Sequence, residues 1–164
     1  MTHPERASSL RNAGLRGELS RDHERLDQLF SDLRAAFDAD AREDAARLWG
    51  ELDRGLSAHL EFEERHVLPA FRAVDSAEGD RLLREHDLIR HRLTELGVAV
   101  DLHTVRAEIV ADFIALLRAH AHGEDDLLYR WAERELPAST QEKFLPASAG
   151  RAPGPQRSAV PGNG

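Results

Sequence analysis

The chain contains no cysteine. Disulfides, thiolate zinc sites and cysteine-ligated iron–sulfur clusters are excluded, and a cytoplasmic address is the default expectation. No run of roughly 18 apolar residues occurs, so no membrane-spanning helix is expected. The opening MTHPERASSLRNAG lacks the apolar stretch of a secretory signal. Aromatic residues make up only 5% of the chain, and the net charge is −8 with no basic block. An acidic chain without a basic, aromatic-rich stripe is a poor partner for nucleic acid. Glycine and proline crowd the ends. From Ala147 the sequence runs ASAGRAPGPQRSAVPGNG, too poor in apolar residues to order itself, and a disordered tail is expected over 147–164. Residues 1–14 are expected to be a flexible N-terminus. Residues 15–146 remain as one domain, long enough for a core.

What the chain has in abundance is alanine, leucine, arginine and glutamate, which favour helices. Leu19, Leu26, Phe30, Leu33 and Phe37 recur at three–four spacing, with Ser20 as a candidate N-cap. A break follows over Asp38–Arg42. A second helix from Glu43 carries Leu48, Leu52, Leu56, Val67 and Ala70, with Pro69 expected to bend or end it. Ser76 and Gly79 mark a turn before a third helix with Leu82, Ile89, Leu93, Leu96 and Val100. After a turn at Asp101–Thr104, a fourth helix carries Ile109, Phe113, Leu117, Leu128 and Trp131 up to Pro137. Short connections predict an all-α, antiparallel up-down four-helix bundle.

The bundle is internally repeated. Leu19, His23, Leu26, Phe30, Leu33 and Phe37 map onto Leu82, His86, Ile89, Leu93, Leu96 and Val100, a displacement of 63 residues. The second and fourth helices repeat at a displacement of 61, with His59 and Glu63 mapping onto His120 and Glu124. The chain therefore reads as two helical hairpins of one kind.

Six polar residues interrupt these apolar seams: His23, His59, Glu63, His86, His120 and Glu124. An unpartnered buried polar group costs several kcal/mol, unless it is paired or coordinates a metal. Within each His-xxx-Glu the side chains lie about 40° apart around the helix, so both can reach one ion. Their heights also agree. Residues on adjacent antiparallel helices lie level when their midpoint falls in the connecting turn. The midpoint of His23 and His59 is residue 41, that of His86 and His120 is residue 103, and Glu63 with His86 average near residue 75. All six groups are thus expected in one layer. Four imidazoles and two carboxylates suit two borderline divalent ions, with iron, zinc or manganese all possible. The natural division gives His23 and His59 one ion, His86 and His120 the other, with Glu63 and Glu124 bridging.

A lone His-xxx-Glu is usually an exposed i,i+4 pair; two copies in register are not so easily explained. His3, His91, His103 and His122 fall outside the seam and read as surface residues. His66 and Glu64 are left open as neighbours or alternative ligands. Tyr129, five residues after Glu124, reads as a structural residue at the bundle edge, with a redox or hydrogen-bonding role as the alternative. A ferritin-like Glu-xx-His occurs once, at Glu63–His66, but has no second copy.

The segments RDHERLDQLF, AHLEFEERHVLPAF, REHDLIRHRL and AHAHGEDDLLY resemble the haemerythrin-like, HHE-type cation-binding domains of bacteria over about residues 15–136. That resemblance implies two non-haem iron ions with an oxo or hydroxo bridge and two bridging carboxylates; zinc or manganese would be substitutes. Oxygen-carrying members have a further histidine one turn after the third-helix ligand, where this chain has Arg90, with Asp27 as its repeat counterpart. Carriers also use His-xxxx-Asp on the fourth helix, and this chain offers both Glu124 and Asp125. Reversible oxygen carriage is therefore disfavoured.

The expected function is a di-iron protein, monomeric or weakly dimeric, that binds and reacts with O2, H2O2 or NO in oxidative or nitrosative stress. Peroxide breakdown or nitric oxide handling would make it an enzyme. The alternatives are an iron or oxygen sensor or a metal store without turnover, and a purely structural bundle with hydrogen-bonded core histidines.

Overall fold

The computed structural model describes residues 14–141. Helix α1 spans Leu15–Asp38, α2 Arg42–His66, α3 Leu68–Val74, α4 Ser76–Asp101 and α5 Ala107–Gly123. A π-helical turn over Glu124–Leu128 leads into α6, Tyr129–Glu135, and a last short helix α7 covers Ala138–Gln141. No strand occurs among the described residues. The expected tail from residue 147 lies outside them. No helix among them is long and apolar enough to cross a membrane.

Four rods form the bundle: α1, α2 continued by α3, α4, and α5 continued through the π turn by α6. Only Ala39–Ala41 separate α1 from α2, and only Asp75 separates α3 from α4. Links this short force antiparallel neighbours. The rod of α1 packs against α2 and against α5 and α6, while α4 packs against α2, α3 and α5. The repeat extends into the turns. Asp40 and His103, 63 residues apart, both hold left-handed backbone, with φ of 51° and 54°. Asp and His tolerate this region better than most residues, and each turns its hairpin.

The break after His66 falls two residues before Pro69. Val67 adopts φ −113° and ψ −56°, its N–H still bonded to Glu63, and Pro69 sits in the first turn of α3, where its missing N–H costs nothing. Gly79 is not in the turn, as its sequence context suggested, but inside α4. Arg72 of α3 passes so close that a Cβ at Gly79 would lie 2.9 Å from the Arg72 Cβ. Asp75 is the residue that starts α4, its side chain accepting from the Glu78 N–H. Ser20 likewise lies within α1, which begins five residues earlier.

Two apolar clusters fill the interior. One contains Leu26, Phe30, Leu33, Leu52, Leu56, Ile89, Leu93 and Phe113. The other contains Leu15, Leu19, Phe62, Leu68, Phe71, Leu82, Leu128 and Ala132. The expected faces of α1 and α4 hold, although Phe37 is only partly buried. On the fourth rod the register differs: Ile109 is exposed, Leu117 and Trp131 are partly buried, and Val110, Phe113 and Ile114 carry the core. On the second rod Ala70 is exposed and Phe71 takes its place, because the break at Val67 shifts the buried face of α3.

Candidate metal centre

Between the two apolar clusters lies a polar layer. His59, Glu63, His86, His120 and Glu124 are buried, and His23 leaves 12% of its side chain exposed. α1 contributes His23, α2 contributes His59 and Glu63, α4 His86, α5 His120, and the π turn Glu124. One atom from each of Glu63, His86, His120 and Glu124 lies within 4.8 Å of the others, and the same holds for His23, His59 and Glu124. The structure therefore brings together, from four rods, the six residues that interrupt the seams.

The carboxylates are shared. Glu63 places Oε1 3.4 Å from His59 Nε2 and Oε2 3.5 Å from His86 Nε2. Glu124 places Oε2 3.4 Å from His23 Nε2, and Oε1 3.2 Å from His86 Nε2 and 3.0 Å from His120 Nε2. The two histidine pairs thus face opposite oxygens of the same two carboxylates. His23 and His59 converge through their Nε2 atoms at 3.0 Å.

Several of these atoms are left over as hydrogen-bonding groups. Glu63 Oε2 and His120 Nε2 are buried without a hydrogen-bond partner. His120 Nε2 is only 3.0 Å from Glu124 Oε1, yet the pair is not aligned as a hydrogen bond. Two donor groups aimed at a common point between them produce this geometry. An unsatisfied buried group costs about 1–3 kcal/mol, and a cation between the groups removes that cost. The donor set, imidazole nitrogen and carboxylate oxygen without sulfur, fits iron, and also zinc or manganese.

Three of the four imidazoles are held from behind. His59 Nδ1 lies 2.8 Å from Asp22, His120 Nδ1 2.9 Å from Glu85, and His86 Nδ1 3.0 Å from Glu64; His23 Nδ1 is 3.8 Å from Asp125, beyond hydrogen-bond reach. Those carboxylates are themselves fixed. Arg25 donates to Asp22, Arg81 to Glu85, Arg90 to Glu64, and the Ser20 hydroxyl to Asp125 at 2.5 Å. The pattern follows the internal repeat, Asp22 matching Glu85 and Glu64 matching Asp125. Such partners fix the orientation of a ligating ring and raise its basicity.

Charge balance in the layer is strong. Burial opposes protonation of His59, but Glu63, Asp22 and Glu124 outweigh it and raise its pKa to about 10. His120 is raised to about 9, burial again being outweighed by Glu124 and Glu85. Burial disfavours the Glu124 carboxylate, yet His120, His23 and His86 hold it well below the usual carboxylate range. Without a cation of another kind, protons on His59 and His120 offset the carboxylates of the layer.

Asp125, offered by the sequence as a partner or substitute for Glu124, stands behind His23 with 34% of its side chain exposed. Glu64 lies behind His86. His66 packs on the Phe62 ring, centroids 5.1 Å apart. Arg90 clamps Glu64 with both ends of its guanidinium, and Asp27 pairs with Arg118 of α5 at 2.6 Å. His91 and His122 are exposed beside Glu95 and Asp126.

Sequence reasoning missed Asp22 and Glu85, although extending the repeat to the residues before His23 and His86 finds both. It misplaced Tyr129. Far from the bundle edge, Tyr129 is wholly buried, and its hydroxyl lies within 3.2 Å of His23, His59, Glu63 and Glu124.

A cavity of about 50 Å³ adjoins the layer on the side of His23, His59 and His120, walled by Leu26, Phe30, Leu56 and Ile114, with Asp27 and Arg118 also lining it. It has room for a molecule of a few atoms.

The family model for the Hemerythrin HHE cation binding domain matches residues 15–132. No curated protein and no solved structure matches the chain significantly.

Proposed function

Because the chain belongs to the haemerythrin HHE cation-binding family, we propose that its buried layer holds two iron ions and reacts with small oxidants or diatomic gases: O2, H2O2 or NO. The observation that carries this reading is the sharing of the two carboxylates, Glu63 lying between His59 and His86, and Glu124 between His23 on one oxygen and His86 and His120 on the other. His23 and His59 would hold one ion and His86 and His120 the other, bridged by both carboxylates. Bound iron would supply Lewis acidity and a redox couple.

The rest is the work of the chain. Asp22, Glu85 and Glu64 orient His59, His120 and His86 so that their Nε2 atoms face inward. Six protein side chains shared by two ions leave coordination positions for a small molecule. The largely apolar cavity beside His23, His59 and His120 has room for reactants of a few atoms. Its Leu and Phe walls limit water near the site. Where carriers hold a further imidazole, Arg90 instead braces Glu64, which favours reaction over reversible carriage.

The test is iron content of the purified protein, followed by oxygen release from peroxide and consumption of nitric oxide. About two iron per chain with turnover of either substrate supports the reading. Full iron loading without turnover leaves a sensor or store, and a chain that refuses iron removes the redox function.

A further inference from the structure

Tyr129 breaks the symmetry of the two hairpins. Its repeat counterpart is Leu68, a buried leucine that offers no ligand atom. The cause lies in the backbone. In an α-helix a residue five places on lies about 140° away around the axis. The turn after Glu124 is π-helical instead, with the Tyr129 N–H bonded to the Glu124 carbonyl. That wider i→i+5 turn places Tyr129 on the same face as Glu124. Such turns recur at functional sites. In the first hairpin the Val67 N–H bonds to Glu63 in an i→i+4 turn, and the residue five places after Glu63 is the apolar Leu68.

The Tyr129 hydroxyl oxygen lies 3.0 Å from His23 Nε2, 3.2 Å from His59 Nε2, 2.5 Å from Glu63 Oε1 and 3.2 Å from Glu124 Oε2. Three of the gaps among those four atoms are also short, with 3.0 Å between the imidazoles, 3.4 Å from His59 to Glu63 and 3.4 Å from His23 to Glu124. Nitrogen and oxygen ligands of one ion, bound at about 2.0–2.2 Å and at right angles, stand roughly 3 Å apart. The hydroxyl therefore stands against four donor atoms at about the spacing expected of fellow ligands. A tyrosine buried only for packing needs one acceptor, and Glu63 alone would serve.

We propose that Tyr129 is a ligand, through its hydroxyl oxygen, of the ion held by His23 and His59, and that the two metal positions are in consequence chemically unequal. The inference rests on the two-iron reading above. On binding, the O–H bond breaks, the oxygen–metal bond forms and the proton leaves to bulk water. The position between His86 and His120 has no such group and keeps the more open shell.

Tyr129 is the only tyrosine in the sequence, so any tyrosinate signal belongs to it. The experiment loads the full chain with ferrous iron in air, counts iron, and records the visible spectrum and resonance Raman of protein grown with ordinary or ring-deuterated tyrosine. The expected result is a visible phenolate-to-iron charge-transfer band whose Raman modes shift with the label. In Tyr129→Phe that band is lost, whatever iron the His23–His59 position retains. About two bound iron ions without the band, or with modes that ignore the label, overturn the ligand assignment and leave the di-iron reading standing. A chain that takes up no iron overturns both. Should Tyr129→Phe fail to fold, the isotope shift in the parent chain still decides.

Discussion

Asp22 and Glu85 occupy equivalent places in the two hairpins, one behind His59 at 2.8 Å and the other behind His120 at 2.9 Å. Each immediately precedes a histidine of its own helix yet supports a histidine of the neighbouring one. Each is held by an arginine, Arg25 or Arg81. Removing the charge while keeping the shape, in Asp22→Asn or Glu85→Gln, should weaken metal binding by about 10–100-fold, the usual cost of losing such a support. Competition with a calibrated chelator measures it. Affinities equal to the parent's would mean that these carboxylates do not tune the imidazoles.

The shared carboxylates predict an asymmetry between ligand losses. Glu63→Gln or Glu124→Gln removes a group common to both positions and should depress occupancy of both ions. His120→Ala removes a ligand of one position and should leave about one ion per chain. Metal analysis after gel filtration separates the cases. If Glu124→Gln lost only one ion, the bridge would be refuted.

Metal removal should make stability depend on pH. In the metal-free protein His59 is raised from 6.5 to about 10 and His120 to about 9. Groups with a raised folded-state pKa contribute stability that is fully present below their unfolded value of about 6.5 and is lost as pH climbs through the folded values. The metal-free chain should therefore weaken steadily from about pH 6.5 to pH 10. Metal binding must displace those protons, so metal affinity should rise over the same range. Denaturant midpoints with and without chelator test this, and a metal-free midpoint that rose with pH would contradict it.

The cavity beside His23, His59 and His120 makes a steric prediction. Ala121 lines it and is only partly buried. Ala121→Leu should fill much of the space and slow reaction with nitric oxide or peroxide while leaving iron content unchanged. Stopped-flow rates read the effect. Unaltered rates would place the route of entry elsewhere.

Most of the bundle was legible because its period is regular. On α1 and α4 the three–four spacing of Leu19, Leu26, Phe30, Leu82, Ile89 and Leu93 survives folding, since nothing interrupts those helices. The sequence also located the polar layer, because level residues on antiparallel rods have midpoints in the turns, and those turns stand near residues 40, 75 and 103. Extrapolation failed on the other two rods, where the backbone leaves the α period. The break at Val67 moved Phe71 into the core in place of Ala70. The π turn moved Tyr129 inward and left Trp131 only partly buried.

The residue pattern alone thus determined the all-α fold, the repeat of the hairpins and the six residues that interrupt their seams. These follow from periodicity and from the cost of burying polar groups. Folding decided which oxygen of Glu63 and Glu124 faces which histidine pair, which carboxylate stands behind each ring, and that the Tyr129 hydroxyl enters the layer. Those outcomes depend on rotamers, on contacts between helices far apart in the chain and on one added residue in a helical turn. Counting residues along an ideal α-helix does not register any of them.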